Sequence, residues 1–328
     1  MIRFIIKRIL LLIPVIVAVS FIVFSLLEAA PGDLADAIIS RAGEVTAEDV
    51  AAIRAAHNLD RSMFYRYGLY MLNLIQGDLG VSDITGLSVW RVFMERLPNT
   101  LLLSFSALII GMAVAVPMGI IAARNAGKLA DNAATIFTLV GMSMPLFWVG
   151  LLLIIVFSRN LGWLPPSGND HGIRSLILPA ICSGLSLTAS TARQTRSSML
   201  EVLKSDYLRT ARAKGTSEEK VIRKHALSNA WIPIITAAGA SLCAQLAGSV
   251  VIESVFAWPG IGRLAAEAVF ARDATTVLGT IILTTVLYVL VQLLVDVLYA
   301  FIDPRIKSQY TGSGKKKRSE KQKEVVAA

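Results

Sequence analysis

The stretch Asp206-Tyr-Leu-Arg-Thr-Ala-Arg-Ala-Lys-Gly215 lies in a polar segment between two long apolar segments of the chain. Ser205 or Asp206 is placed to cap a short helix that ends at Ala213, and Gly215 stands where a helix stop is expected. The next four residues, Thr216-Ser-Glu-Glu219, have the spacing of a capping box and predict a second helix, which meets Pro233. The pattern predicts a bent pair of helices standing off a membrane.

The apolar segments on either side indicate the class of protein. The chain has 328 residues, of which 55% are hydrophobic and 17% are charged, and its mean hydropathy is +0.63. Because a helix of about 20 apolar residues crosses the hydrocarbon layer, we predict an all-α polytopic membrane protein with about six transmembrane helices. The candidate spans are Ile9–Leu27, Leu101–Ile121, Ala134–Phe157, Leu176–Thr191, Pro233–Ile252 and Val277–Ile302.

The placement of Lys and Arg predicts which loops face the cytoplasm. Most of these residues fall in the amino-terminal segment, the loop around Arg124, the loop 193–224 and the carboxyl-terminal tail. The short loops of the opposite side hold only Arg159, Arg174, Arg263 and Arg272. By the positive-inside rule both termini are cytoplasmic. The net charge of +9 lies beside the membrane, where anionic lipid attracts it, so nucleic acid is not an expected partner.

The spans and loops divide the chain into four parts. These are an amino-terminal span (1–28), an external helical insert (29–99), a five-helix core (100–303) containing the cytoplasmic loop 204–232, and a basic cytoplasmic tail (304–328). In the insert, Thr46-Ala-Glu-Asp49 has the pattern of a helix start, Met63–Ile75 is a predicted helix and Gly77-Asp-Leu-Gly80 a predicted turn. Since about 70 residues cannot form a large core, we expect a small cap on the outer face of the bundle.

The predicted spans lack the groups that self-driven transport or catalysis needs. Their middles carry no charged residue and no His, which disfavours the alternative function, a secondary transporter that couples a small solute to ions or protons. No paired carboxylates, His cluster or nucleophile elbow falls at a membrane face, and no phosphate-binding loop is present, so we expect no enzyme and no catalytic residue. Cys182 and Cys243 fall inside spans as packing residues, and no metal site is expected.

By its pattern alone, the polar segment fits two roles about equally: an amphipathic stretch on anionic lipid, or a docking element for another protein. Its sequence resembles the cytoplasmic loop of ATP-binding-cassette (ABC) importer permeases, where Ala211, Gly215 and Leu227 match consensus positions and Ser228 replaces a consensus Pro. The form Arg-Thr-Ala-Arg-Ala-Lys-Gly215, followed by His225-Ala-Leu-x-Asn-Ala-x-Ile-Pro233, is similar to the dipeptide, oligopeptide and nickel subfamily.

The resemblance extends from Met1 to about Lys307 and is closest to the first of that subfamily's two permease subunits. Other segments that carry it are Pro31-Gly-Asp33, Gly77-Asp-Leu-Gly80, Leu97-Pro-Asn-Thr100, Leu161-Gly-Trp-Leu-Pro165, Arg196-Ser-Ser-Met-Leu-Glu-Val202, Glu253-Ser-Val-Phe-Ala-Trp-Pro-Gly-Ile-Gly-Arg263 and Asp303-Pro-Arg305.

The resemblance implies an ABC type I importer permease fold in a bacterial plasma (inner) membrane. It also implies partners: a second permease subunit, two cytoplasmic ATPases that bind ATP and Mg, and an external substrate-binding protein, with no cofactor in this chain. Contacts to an ATPase are expected from Tyr207, Arg209, Thr210, Ala211, Lys214 and Gly215, in which Ala211 would keep the contact free of bulk. Relatives of this type carry peptides, nickel or its chelates, and glutathione, and peptide is the expected substrate.

The segment Phe256-Ala-Trp-Pro-Gly260 at the end of the fifth predicted span is rich in turn formers. One hypothesis is that Phe256, Trp258, Pro259 and Gly260 fold back toward the translocation path as an outer gate or rim. The alternative is an ordinary anchor in which Trp258 lies at the lipid interface.

Overall fold

A computed structural model describes residues 2–29, 46–56, 58–82 and 84–302, and these residues are almost entirely helical. Two π-helical segments, Ile154–Asn160 and Val221–Ala226, continue the α-helical segments that precede them. The helices are α1 (Ile2–Ala29), α2 (Ala47–Ala56), α3 (Met63–Ile75), α4 (Val89–Arg124), α5 (Leu129–Ser143), α6 (Leu146–Leu153), α7 (Ile173–Leu203), α8 (Asp206–Ala213), α9 (Glu218–Lys220), α10 (Leu227–Gly248), α11 (Val250–Val255), α12 (Ile261–Ala271) and α13 (Ala274–Ile302).

The number of spans agrees with the prediction once one bent pair is counted as a unit. Within the described part of the chain, five helical segments are long and apolar enough to cross a membrane: α1, α4, α7, α9 with α10, and α13. The sixth unit is α5 with α6, which bend by 101° at Met144-Pro145. The predicted span Ala134–Phe157 is therefore a bent pair of helices, with Pro145, which has no N–H to continue the helical hydrogen bonds, at the bend.

Several helices extend beyond the predicted spans. Helix α4 contains 36 residues and begins at Val89, so the predicted boundary between insert and core, after residue 99, falls inside a helix that continues through Pro98. Helix α7 contains 31 residues and continues well past the predicted end at Thr191. A helix can continue beyond its apolar stretch because its hydrogen bonds join backbone groups and do not depend on the polarity of the side chains.

Helices α4 and α7 form the centre of the bundle. Glycines on each helix allow the two backbones to approach: a Cβ at Gly111 would collide with Leu187, and a Cβ at Gly184 would lie 3.1 Å from the Ala107 carbonyl oxygen. A Cβ at Gly119 would likewise collide with Thr195. Small residues at helix contacts are the usual means of close packing in a membrane.

The segment after Gly215 differs from the prediction of two short helices standing off the membrane. Residues Glu218 to Gly248 run as one continuous helical segment, so the second short helix is the inner end of the fifth span and Pro233 lies inside it. Ser217 precedes the first turn, but no side chain caps it, so the predicted capping box does not form. A span can include Pro233 because neighbouring groups in a bundle satisfy the freed carbonyl. The predicted end at Ile252 falls in α11, after a break at Ser249.

The external insert follows its local sequence signals closely. Thr46 and Asp49 exchange backbone-to-side-chain hydrogen bonds of 3.0 and 3.3 Å, which confirms the predicted helix start. Helix α3 has the predicted bounds, and Gly77 and Gly80 both have a φ of +83° in the predicted turn. The Ser82 hydroxyl then hydrogen-bonds to Asp273 at the start of α13, so the end of the insert is attached to the core. Pro31-Gly-Asp33, Asp303-Pro-Arg305 and the basic tail lie outside the described residues.

Candidate functional site

Helix α8 is held on the end of the bundle by a single fully buried side chain, Leu208. Leu208 packs in a cluster at the carboxyl-terminal end of α4, the end of α7 and the start of the fifth span. The buried members of this inner cluster are Val116, Ala123, Met199, Leu208, Val221, Ile222, Ala226, Ala230 and Ile234. A displacement of α8 would therefore also displace the three long helices that contribute to this cluster, because a close-packed cluster has little room to deform.

Two of the six predicted contact residues of α8 are partly engaged within this chain. Ala211 packs against the inner cluster, so its small side chain contributes to the contact of α8 with the bundle and not only to a contact with another protein. The Tyr207 hydroxyl accepts a hydrogen bond of 2.8 Å from the Asn229 side chain, although 45% of Tyr207 stays exposed. Arg209, Thr210, Lys214 and Gly215 are exposed on one side of the helix and turn.

The exposed side of α8 is polar and basic. Its large apolar side chain, Leu208, points into the protein, so the apolar face that a helix needs to enter a lipid surface is absent from this element. Arg209 lies 3.8 Å from Asp206, and both side chains are at least 80% exposed. The arrangement suits a contact with a partner of opposite charge better than a position on lipid.

Gly215 ends α8 in a Schellman motif. Its N–H donates to the Arg212 carbonyl over 2.9 Å, and the Thr216 N–H donates to the Ala211 carbonyl over 3.2 Å. Gly215 has a φ of +77°, and a Cβ added there would meet no atom within 4 Å. Glycine is therefore needed for the left-handed backbone conformation, and space at this position is not the constraint.

An ion pair that the sequence analysis missed closes this turn. Arg212 donates two hydrogen bonds of 2.9 Å to the two oxygens of Glu218, which joins the end of α8 to the start of α9. The hydrogen-bonded carboxylate raises the pKa of Arg212 above its ordinary value, so the guanidinium stays charged. The only sequence signal for this pair was two opposite charges six residues apart, on either side of a Gly turn. Charged pairs are expected on a helix at a spacing of three or four residues, so this spacing did not indicate a pair.

A second missed pair fixes the inner ends of the core helices. Arg196 of α7 donates through Nη2 to Asp131 of α5 over 2.7 Å, and the Gly127 N–H donates to the same carboxylate over 2.9 Å. Asp131 is only 3% exposed. Such a fork between a guanidinium and a carboxylate sets orientation as well as distance, so it fixes α5 against α7 near α8.

The segment Phe256-Ala-Trp-Pro-Gly260, with the residues that contact it, forms a largely buried corner of the protein, called here the outer corner. Phe256 is 1% exposed and Trp258 is 2% exposed, so the interpretation of Trp258 as a lipid-interface anchor was wrong. The Trp258 indole donates to the Asn99 carbonyl over 3.0 Å, and the Asn99 side chain donates to the Pro259 carbonyl over 3.0 Å. These two hydrogen bonds attach the segment to α4. The local sequence did not indicate that α4 lies next to this segment.

Glu253 is the centre of this outer corner and was not singled out from the sequence for this role. Its carboxylate is fully buried and accepts hydrogen bonds from the hydroxyls of Thr100 and Ser249, each over 2.7 Å, and from the Arg263 N–H over 2.9 Å. A Cβ at Gly260 would overlap this carboxylate. The spacing of Glu253 and Gly260 is therefore a packing requirement around one buried acid.

The described residues contain no cluster of three His, Cys, Asp or Glu side chains that could hold a metal ion.

Comparisons with known proteins bear on this arrangement. The oligopeptide transport system permease protein AppB of Bacillus subtilis is 37% identical over 321 residues, with 94% of this chain and 100% of that protein covered. The di/tripeptide transport system permease protein DppB of Pseudomonas aeruginosa is 39% identical over 338 residues, with the same coverage. The glutathione transport system permease protein GsiC of Escherichia coli is 39% identical over 307 residues, with 94% and 99% covered.

Solved structures support the fold. A subunit of the MetNI methionine ABC transporter in an inward-facing conformation aligns with a TM-score of 0.57 and 18% identity, covering 65% of this chain and 96% of that one. Residues 1–104 match the family described as "Binding-prot-dependent transport system membrane comp, N-term", and residues 115–308 match "Binding-protein-dependent transport system inner membrane component". The chain therefore belongs to the family of inner membrane components of binding-protein-dependent transport systems.

Proposed function

We propose that this chain forms one half of the translocation path of an ABC importer for di- and oligopeptides. The observation that carries the proposal is the match over 94% of the chain to permeases named for peptide transport, which includes both the inner loop and the outer corner. Transport rather than catalysis follows from the family, and the coupling of transport to ATP is assigned to separate subunits.

Helix α8 is the element through which those subunits would act. We infer that it sits in a surface groove of a cytoplasmic ATPase that binds ATP and Mg, with Arg209, Thr210, Lys214 and Gly215 at the contact and Tyr207 and Ala211 supporting it. Movement of the ATPase would be passed through Leu208 to the inner cluster, and from there to α4, α7 and the fifth span. Rigid helices would then convert that movement into opening or closing of the path.

The proposed assembly contains a second permease, two ATPases and an external binding protein, as in the ABC importers that this chain resembles. Placing α8 on the ATPase side puts both termini in the cytoplasm, in accordance with the distribution of Lys and Arg. The outer corner then lies on the side of the binding protein. We infer that Phe256, Trp258, Pro259 and Gly260 form a fixed rim of the path, because their burial and hydrogen bonds to Asn99 oppose independent movement of the segment.

The proposal is tested by uptake of a labelled dipeptide and a labelled tetrapeptide in cells that lack the gene for this chain. Restored uptake that requires a functional ATP-binding subunit is the expected result. Uptake by the purified chain alone in vesicles with an ion gradient would instead establish a secondary transporter. If the chain restores uptake of glutathione or nickel but of neither peptide, the proposed substrate is wrong and the ABC mechanism is unaffected.

Reversal of charge on the exposed side of α8 should weaken the association with the ATPase. Arg209→Glu and Lys214→Glu each remove one exposed cation, and a charge contact of this type contributes about 0.2–1 kcal/mol, so a decrease in affinity of roughly threefold is expected. The decrease should shrink as salt is raised. The measurement is the amount of ATPase retained by the tagged permease at low and high salt.

Arg223→Glu is the matched control, since Arg223 is 78% exposed but lies beyond the turn, paired with Glu219. It should retain the normal amount of ATPase. Equal retention by all three variants at low salt would place the contact elsewhere on the chain.

A further inference from the structure

Helix α3 of the external insert is apolar on two sides, and one side is packed on α1. The Tyr67 ring meets the rings of Phe21 and Phe24 edge to face, at centroid distances of 5.2 and 5.6 Å. The Tyr67 hydroxyl donates to the Val17 carbonyl over 3.0 Å. The side of α3 that faces the protein therefore holds it against the outer half of α1.

The opposite side of α3 is a stripe of exposed apolar residues. Phe64 is 72% exposed, Leu72 is 58% exposed and Ile75 is 82% exposed, and Tyr65 and Leu69 extend the same stripe. The helix MFYRYGLYMLNLI contains one charged residue, Arg66, and that residue pairs with Glu28 of α1. A helix with so wide an apolar surface and so few charged residues is expected where most of that surface is out of contact with water.

The contacts with α1 set the depth of α3. Arg8 pairs with Asp296, and Glu28 lies 20 residues further along α1. The helix between Arg8 and Glu28 is about 30 Å long, which equals the thickness of the hydrocarbon layer. Glu28 then marks the outer boundary of that layer. Because Arg66 reaches up to Glu28 and Tyr67 reaches down to Val17, α3 at this contact lies at the level of residues 22 and 23 of α1, roughly 8 Å below the boundary.

We propose that α3 lies within the outer leaflet and that lipid acyl chains cover its exposed stripe. Amphipathic helices of this kind are immersed by about 5–10 Å, which agrees with the depth set by Glu28 and Val17. The stripe continues the surface of α1, of which only 6% of the most apolar window is buried within the protein. The three Tyr residues of α3 suit the same interfacial layer. The external insert thus carries a membrane-embedded arm in addition to a cap on the bundle.

The test is spin labelling of the full chain, purified with its associated subunits and placed in nanodiscs of phosphatidylethanolamine and phosphatidylglycerol. Leu72→Cys and Ile75→Cys are labelled singly after replacement of the buried Cys182 and Cys243. Ile22→Cys, 56% exposed on α1 at the same level, is the lipid reference, and Glu48→Cys, exposed on α2, is the aqueous reference. Collisions with oxygen and with a water-soluble nickel chelate give the depth of each label.

Both α3 labels should show an immersion depth of about 5–10 Å, with oxygen and chelate accessibilities that match those at Ile22. Chelate accessibility equal to that at Glu48 would overturn the proposal by placing the stripe in water. Low accessibility to both reagents would overturn it in favour of a protein cover, such as the second permease or the binding protein. Two labelled positions on one helix guard against a local disturbance by either substitution.

Discussion

Glu253→Ala is expected to destabilise the outer corner by about 3–5 kcal/mol and to abolish uptake. The carboxylate is fully buried and receives hydrogen bonds from Thr100, Ser249 and Arg263, so its removal leaves three donors without an acceptor. Each buried donor left unsatisfied costs about 1–3 kcal/mol, so three such donors together account for an effect of this size. The measurements are the thermal unfolding temperature of the purified permease and the amount of protein in the membrane.

Glu267→Ala is the matched control on the same side of the corner. Glu267 pairs with the side chain of Arg263 at 2.7 Å, but both side chains are about a third or more exposed, so the pair contributes at most about 1 kcal/mol. The control should unfold close to the temperature of the unaltered protein. If Glu253→Ala and Glu267→Ala unfold at the same temperature, the buried carboxylate does not organise the corner.

Gly215→Val is expected to reduce peptide uptake about tenfold, while insertion into the membrane stays normal. The φ of +77° forces a β-branched residue into the left-handed region, at a cost of about 1–2 kcal/mol, so the turn and the end of α8 shift instead. Such a cost corresponds to roughly a tenfold effect on a rate. The measurements are uptake, ATPase activity of the assembled complex and the amount of permease in the membrane.

Two substitutions separate backbone conformation from added bulk at this turn. Gly215→Asn adds a side chain that tolerates the left-handed conformation, and nothing lies within 4 Å to oppose it, so uptake should be largely retained. Ala213→Val places the same β-branched side chain on an exposed helical position and should also retain uptake. Normal uptake by Gly215→Val would refute the assignment of this turn to coupling.

Local sequence signals predicted local structure well wherever one residue type meets one backbone requirement. Gly215 occupies the left-handed position that ends α8, Thr46 and Asp49 start a helix, and Met63–Ile75 is the helix expected from its flanks. The effect of each Pro on its helix was not fixed by its local sequence. Pro145 breaks its helix by 101°, whereas Pro98 and Pro233 lie inside continuous helices, since neighbouring helices decide whether a freed carbonyl finds a partner.

The sequence by itself determined the membrane class, the approximate spans and the α8 turn, because apolar length and backbone preference are properties of neighbouring residues. Only the tertiary structure decided that Ala211 packs partly inward, that Trp258 is buried, and that Glu253 organises the outer corner. Each of these outcomes depends on a partner far away in the chain, such as Asn99 or Thr100 across more than 150 residues. Burial and hydrogen-bond satisfaction depend on which surfaces come into contact in three dimensions, and the periodicity and composition of the sequence do not predict those contacts.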